Sequence, residues 1–144
     1  MMDGYPLMKK LQLKGSPLTL IKLPEALAAA FPAEAQRAEA LPEGARAVLA
    51  FADTQESLAS LIHLILPGLA PDAILWLAYP KKTSKRYRSD ITRDQGWAPL
   101  AAYDYEPVSQ VALDEDWSAL RFKPFAQIKN PARKGRMIQS GKEG

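Results

Sequence analysis

The chain of 144 residues has no cysteine. Disulfides, thiolate metal sites and cysteine nucleophiles are therefore excluded. Histidine is nearly absent too, since His63 stands alone, and one imidazole without thiols makes no zinc site. The N-terminus lacks the long apolar run of a secretory signal. The strongest apolar stretches, Leu58 to Leu69 and Ala73 to Tyr79, are too short or too interrupted to span a bilayer. These absences fit a cytoplasmic protein. Also missing are a Gly-x-Ser-x-Gly elbow, a phosphate-binding Gly-x-x-x-x-Gly-Lys loop and a His-Glu-x-x-His pair. No catalytic residue, metal ligand or cofactor is assigned from motifs.

What is present is an ordinary globular composition, 47% hydrophobic and 24% charged. Charge is unevenly spread. Lys81, Lys82, Lys85, Arg86 and Arg88 crowd into one loop without an acid, and residues 129–144 carry a net +4. With a total of +3, the rest of the chain is left at −6. An acidic body thus bears a basic loop and a basic tail, and the global charge does not describe a nucleic-acid-binding body.

Residues 1–16 show no clear period and read as a flexible lead-in. Leu18 to Leu23 is β-branched and apolar, and Pro24 ends it, which predicts a strand. Pro24-Glu25 then opens a short alanine-rich helix to Phe31. The charged stretch from Ala33 to Gly44 gives no firm element. Ala45 to Phe51 is nearly all apolar, as a strand buried on both faces in a parallel sheet would be. Asp53 with Glu56 three residues on reads as a capping box. Leu58, Leu61, Ile62, Ile65 and Leu69 follow at helical spacing until Pro67-Gly68. Ala73 to Tyr79 is the next strand, completing a right-handed βαβ unit. After the basic loop, Ser89 or Asp90 is expected to cap a helix through Ala102. Val108 to Leu113 and Trp117 to Lys123 are strands joined by the tight acidic turn Asp114-Glu115-Asp116, hence antiparallel.

The expected fold is a single Rossmann-like, three-layer α/β domain over residues 17–125. Its sheet is mostly parallel, with about five strands and an antiparallel hairpin at the C-terminal edge. Residues 126–144 read as a basic, disordered tail.

The element order from Ala45 onward resembles the second half of a class I S-adenosylmethionine methyltransferase, whose last strand is antiparallel beside the one before it. Three sequence words are similar to a bacterial family of small proteins built on a domain of unknown function. They are Leu75-Trp76-Leu77-Ala78-Tyr79-Pro80-Lys81, Ser89 to Trp97, and Val111-Ala112-Leu113-Asp114-Glu115-Asp116-Trp117-Ser118-Ala119-Leu120-Arg121-Phe122. That resemblance implies a fold and no chemistry. The methyltransferase resemblance implies a glycine-rich turn after the first strand and an acid after the second. Here Pro24-Glu25-Ala26-Leu27 follows the first strand without a glycine, and no Asp follows a clear second strand, which argues against methyltransferase activity.

Ligands in open α/β sheets bind outside the carboxyl ends of the strands. Thr54, Tyr79, Lys81, Lys82, Arg93, Asp114 and Trp117 fall at that edge and form the candidate ligand-binding set. Lys81, Lys82 and Arg93 suit a small anion or a phosphorylated ligand, although neutralisation by Asp114–Asp116 is the preferred reading of their charge. Residues 81–88 and 129–144 also suit a weak, salt-sensitive nucleic-acid contact, against the plainer reading of solvated segments. The leading expectation is a non-catalytic small-anion-binding or interaction module, leaning away from an enzyme. The alternatives are an enzyme acting on a phosphorylated or nucleotide-like substrate, and a nucleic-acid accessory protein. No membrane partner is expected.

Overall fold

The computed structural model describes residues 6–92 and 95–128. One six-stranded sheet runs through it, built from β1 (Leu18–Ile21), β2 (Gln36–Ala38), β3 (Ala47–Phe51), β4 (Ile74–Pro80), β5 (Tyr105–Ala112) and β6 (Trp117–Pro124). The strand order is β2-β1-β3-β4-β6-β5. The first four strands are parallel neighbours, and β6 inserts between β4 and β5, antiparallel to both. The mostly parallel Rossmann-like sheet with an antiparallel C-terminal edge is therefore as expected, with one more strand.

The apolar runs of β3 and β4 follow from cover on both faces. Val48, Ala50, Leu75, Leu77 and Tyr79 face one core, against Leu58, Leu61, Ile62 and Ile65 of helix α2 (Gln55–Ile65). Ala47, Leu49, Phe51, Ile74, Trp76 and Ala78 face the other, against α1 (Pro6–Lys10) and the 3-10 helix Glu25–Ala30. Successive side chains in a strand alternate faces, so a strand between two cores has no polar positions to spare.

The N-terminal segment differs from its expected flexibility. Leu7, Met8, Leu11 and Leu13 are buried. The buried indole N–H of Trp76 donates to the carbonyl of Leu11 at 3.0 Å, which fixes this segment over β4.

Four further local readings change. The helix expected from Pro24 to Phe31 is a 3-10 turn of six residues. Strand β2 lies in the stretch that offered no firm element. Thr54, not Asp53, caps α2: its hydroxyl accepts from the Ser57 N–H, and the Ser57 hydroxyl accepts from the Thr54 N–H. Where an α-helix through Ala102 was expected, the described residues carry a 3-10 helix, Ala98–Tyr103. The tail expectation for residues 129–144 lies outside the described residues. No helix among the described residues is long and apolar enough to cross a membrane.

Arg46 and Asp72 form a two-pronged pair at 3.2 and 2.9 Å that ties the entry of β3 to the turn before β4. Hydrogen bonding from Arg46, and then its charge, hold the Asp72 carboxyl below the usual carboxylate range. A lowered folded pKa contributes stability that is present above the unfolded value and lost as pH falls through the folded one. Wild type and Asp72→Asn should therefore differ in Tm at neutral pH and converge in acid, as read by melts along a pH series. Trp76→Phe removes the donor from a buried carbonyl and should cost about 1–3 kcal/mol in denaturant unfolding.

Candidate functional site

The order of strand addition reverses between β1 and β3. From β1 the chain crosses to β2 on one side, and from β3 it crosses to β4 on the other. Opposed crossovers leave a crevice at the carboxyl ends of the two strands. At that point the chain leaves β1 through Lys22, whose φ of 59° is left-handed. Its N–H donates to the carbonyl of Ala38 at the end of β2. The next residue after Ala38 is Glu39, and its carboxylate lies 3.8 Å from the Lys22 ammonium. Both side chains are open to solvent, at 49% for Lys22 and 86% for Glu39. Such an exposed pair is weak and opens readily.

On the other side of the crevice the end of β3 runs into α2. A cleft of about 510 Å³ is lined by Lys22, Thr54, Glu56, Ser57, Ser60, Leu61 and Leu64. Thr54 and Ser57 are engaged with each other in the cap, and the Ser57 hydroxyl also lies 3.2 Å from an Asp53 carboxylate oxygen. The cap leaves the first N–H of α2 to a distant partner: Gln55 N–H donates to the Asp90 carboxylate at 2.7 Å, and the Gln55 side-chain amide donates to the Asp90 carbonyl at 2.6 Å. Asp90 was expected to cap a helix of its own. Its carboxylate instead sits where the α2 dipole favours negative charge. The loop that carries it is fastened by Ile91 and Trp97, both buried in the α2 core. Gly96 makes the close approach feasible. Its φ is +111°, and a Cβ there would stand 3.2 Å from Gln55 Cγ.

A second cleft, of about 660 Å³, lies between the basic loop and the acidic turn, lined by Thr83, Lys85, Arg86, Glu115 and Asp116. The two segments are joined by hydrogen bonds. Lys81 N–H donates to the Asp116 carbonyl at 2.8 Å, and the Ser84 hydroxyl donates to the Asp116 carboxylate at 2.8 Å. Asp114 caps the turn, accepting from the N–H groups of Asp116 and Trp117.

The sequence-derived site residues do not gather in one place. Thr54 lines the first cleft. Tyr79 is buried in the α2 core, edge-on to Trp97, with its hydroxyl accepting from Gln110. Trp117 is buried on the opposite face of the sheet, between Phe51 and Tyr87. Its indole N–H has no partner among the described residues. Lys81 and Lys82 reach the same edge as Asp114 but form no ion pair with it among the described residues. Among the described residues, the acidic turn's one ion pair is Arg86 with Asp116, at 3.9 Å. Mutual neutralisation therefore does not describe Lys81 and Lys82. Arg93 lies outside the described residues. Among the described residues no group of acids and histidine is placed to hold a metal ion.

Sequence reasoning missed Lys22 and Glu39. The signal was present as an acid at position 39, but a three-residue exposed strand before it carries no apolar pattern.

No protein-family model and no curated protein matches the sequence. Among solved structures the chain is similar to the tRNA methyltransferase TrmK of B. subtilis, with a TM-score of 0.53 and 10% identity, over 83% of this chain and 64% of that one. It is also similar to the N-methyltransferase NodS of Bradyrhizobium japonicum WM9, with a TM-score of 0.53 and 14% identity, over 85% and 94%. The chain thus spans 64% of the length of TrmK. At these identities the likeness is one of fold, a methyltransferase-like Rossmann fold. It corrects the expectation of a non-catalytic module and the lean away from an enzyme, because this fold is the one both methyltransferases use. The missing glycine turn had carried that expectation, and the acid after the second strand had gone unseen.

Gly96→Ala should strain the backbone and push the loop off α2, at a cost of about 1–3 kcal/mol in unfolding. Thr54→Ala should cost about 1 kcal/mol through loss of the cap.

Proposed function

We propose that the chain is an S-adenosylmethionine-dependent methyltransferase whose cofactor lies at the carboxyl ends of β1, β2 and β3. One juxtaposition carries the reading: Glu39 directly after β2 meets Lys22 directly after β1, where a methyltransferase-like sheet reverses its order. The methyltransferase resemblance implies an acid after the second strand that binds ribose hydroxyls, and Glu39 stands there.

The residues present fit the group, with one substitution of means. Glycine in the turn would admit backbone close to the ligand. Lys22 adopts the left-handed conformation that glycine favours and adds an ammonium. That ammonium suits the carboxylate of the methionine portion, and the Glu39 carboxylate accepts from the ribose hydroxyls. Leu61 and Leu64 supply an apolar wall on α2, and Thr54 and Ser57 a polar one. The cofactor supplies an electrophilic methyl group on a sulfonium sulfur. The chain's own part is to bind, orient and shield it from water. A cytoplasmic setting accords with the cofactor and with the lack of cysteine.

Titration calorimetry and thermal shift with S-adenosylmethionine and its demethylated product test the reading. Binding should stabilise the fold by about 2.7 kcal/mol at a hundredfold excess over Kd. Glu39→Gln should weaken affinity by about tenfold, the worth of one hydrogen bond to a charged group. Absence of heat and of any Tm shift with either compound at about 1 mM, where a micromolar binder stabilises by several kcal/mol, would overturn it.

A further inference from the structure

The basic loop is held in one shape by partners that leave most of its charges without an acid partner among the described residues. Besides donating to Asp116, the Ser84 oxygen accepts from the N–H groups of Arg86 and Tyr87, and the Ser84 N–H donates to the Lys81 carbonyl. Tyr87 packs edge-on against Trp117 at 5.0 Å. The loop is therefore fastened at its backbone, at a hydroxyl and at an aromatic ring. Of its five cations only Arg86 has an acid partner among the described residues, at 3.9 Å with the arginine still 64% exposed. Lys82, Lys85 and Arg88 are exposed. The acids opposite are occupied, Asp114 by the turn's N–H groups and Asp116 by Ser84. Glu115 alone is exposed and lines the cleft facing Lys85 and Arg86. From another part of the chain, the Lys10 ammonium reaches the Ala112 carbonyl, two residues before Asp114.

We propose that residues 81–88 form a docking surface for the phosphodiester backbone of nucleic acid. Cations spread over an ordered loop suit a polymer with repeated single charges, because several phosphates are met at once and each displaces counterions. A loop already in shape loses little freedom on binding. A membrane surface suits it less. The loop's one large apolar side chain, Tyr87, is turned onto Trp117 and is not free to insert between lipids. Contacts of this kind position a strand and do not read its sequence. The surface needs no cofactor, so its test is separate from that of methyl transfer.

Fluorescence anisotropy of labelled single-stranded and duplex oligonucleotides with the full chain, across roughly 50 to 200 mM salt, reads the surface directly. Affinity should fall linearly with salt on logarithmic axes. Lys82→Ala/Lys85→Ala/Arg88→Ala should weaken binding and reduce the slope by about 2–3 units, close to one per lost phosphate contact. Glu115→Gln should strengthen it. Ser84→Ala changes no charge and should still weaken binding, since it frees the loop. Thermal melts check that each variant is folded. No binding at low salt, binding untouched by the triple variant, or binding untouched by Ser84→Ala would each overturn the proposal. So would equal, equally loop-dependent binding to vesicles of anionic lipid.

Discussion

Strand β4 carries the heaviest constraint in this molecule, because it is packed on both faces and paired on both edges. Every one of its seven residues is buried. Such a strand has little room for polar side chains, and Ile74-Leu75-Trp76-Leu77-Ala78-Tyr79-Pro80 meets that demand while sorting its side chains between two cores. The polar atoms it cannot avoid find partners elsewhere in the chain: the Trp76 indole recruits Leu11, and the Tyr79 hydroxyl recruits Gln110. A buried donor left unpaired is costly. The N-terminal segment and the last hairpin are thereby tied to the same strand from opposite faces.

At the carboxyl edge, carboxylates are structural parts before they are electrostatic ones. Asp90 takes the N-terminus of α2, Asp114 closes a turn, and Asp116 holds Ser84. Each group so engaged fixes a backbone and is less available to a lysine. Cations therefore remain exposed although acids stand near them in sequence. The same edge offers two distinct environments. The crevice between β1 and β3 mixes one ammonium, one carboxylate, hydroxyls and leucines. The loop after β4 is overwhelmingly cationic.

The fold class was legible because its main elements are long and strongly patterned. Ala45–Phe51, the Leu58–Ile65 stripe, Ala73–Tyr79 and the two C-terminal strands appear within a few residues of their expected bounds. What escaped were elements whose identity is decided by contacts distant in the chain. Residues 6–13 look irregular until Leu7, Met8 and Leu11 are set against the sheet. Asp90 has the chemistry of a cap, yet residue type does not say which helix it serves, and that helix begins 35 positions earlier. Strand β2 exists because β1 pairs with Gln36, Arg37 and Ala38, not because those residues favour extension. The site suffered most from this. Thr54 was found through its position at the end of an obvious strand, whereas Glu39 depends on an element with no periodicity.

The two margins of the sheet also decide how the molecule behaves in company. One is β2, only three residues long. The other is β5, where Pro107 lacks an N–H and the register breaks between Pro107 and Ser109. A strand from a neighbouring copy would meet either a margin too short to zip along or one that is kinked and missing a donor. Among the described residues, both margins therefore disfavour growth by strand addition.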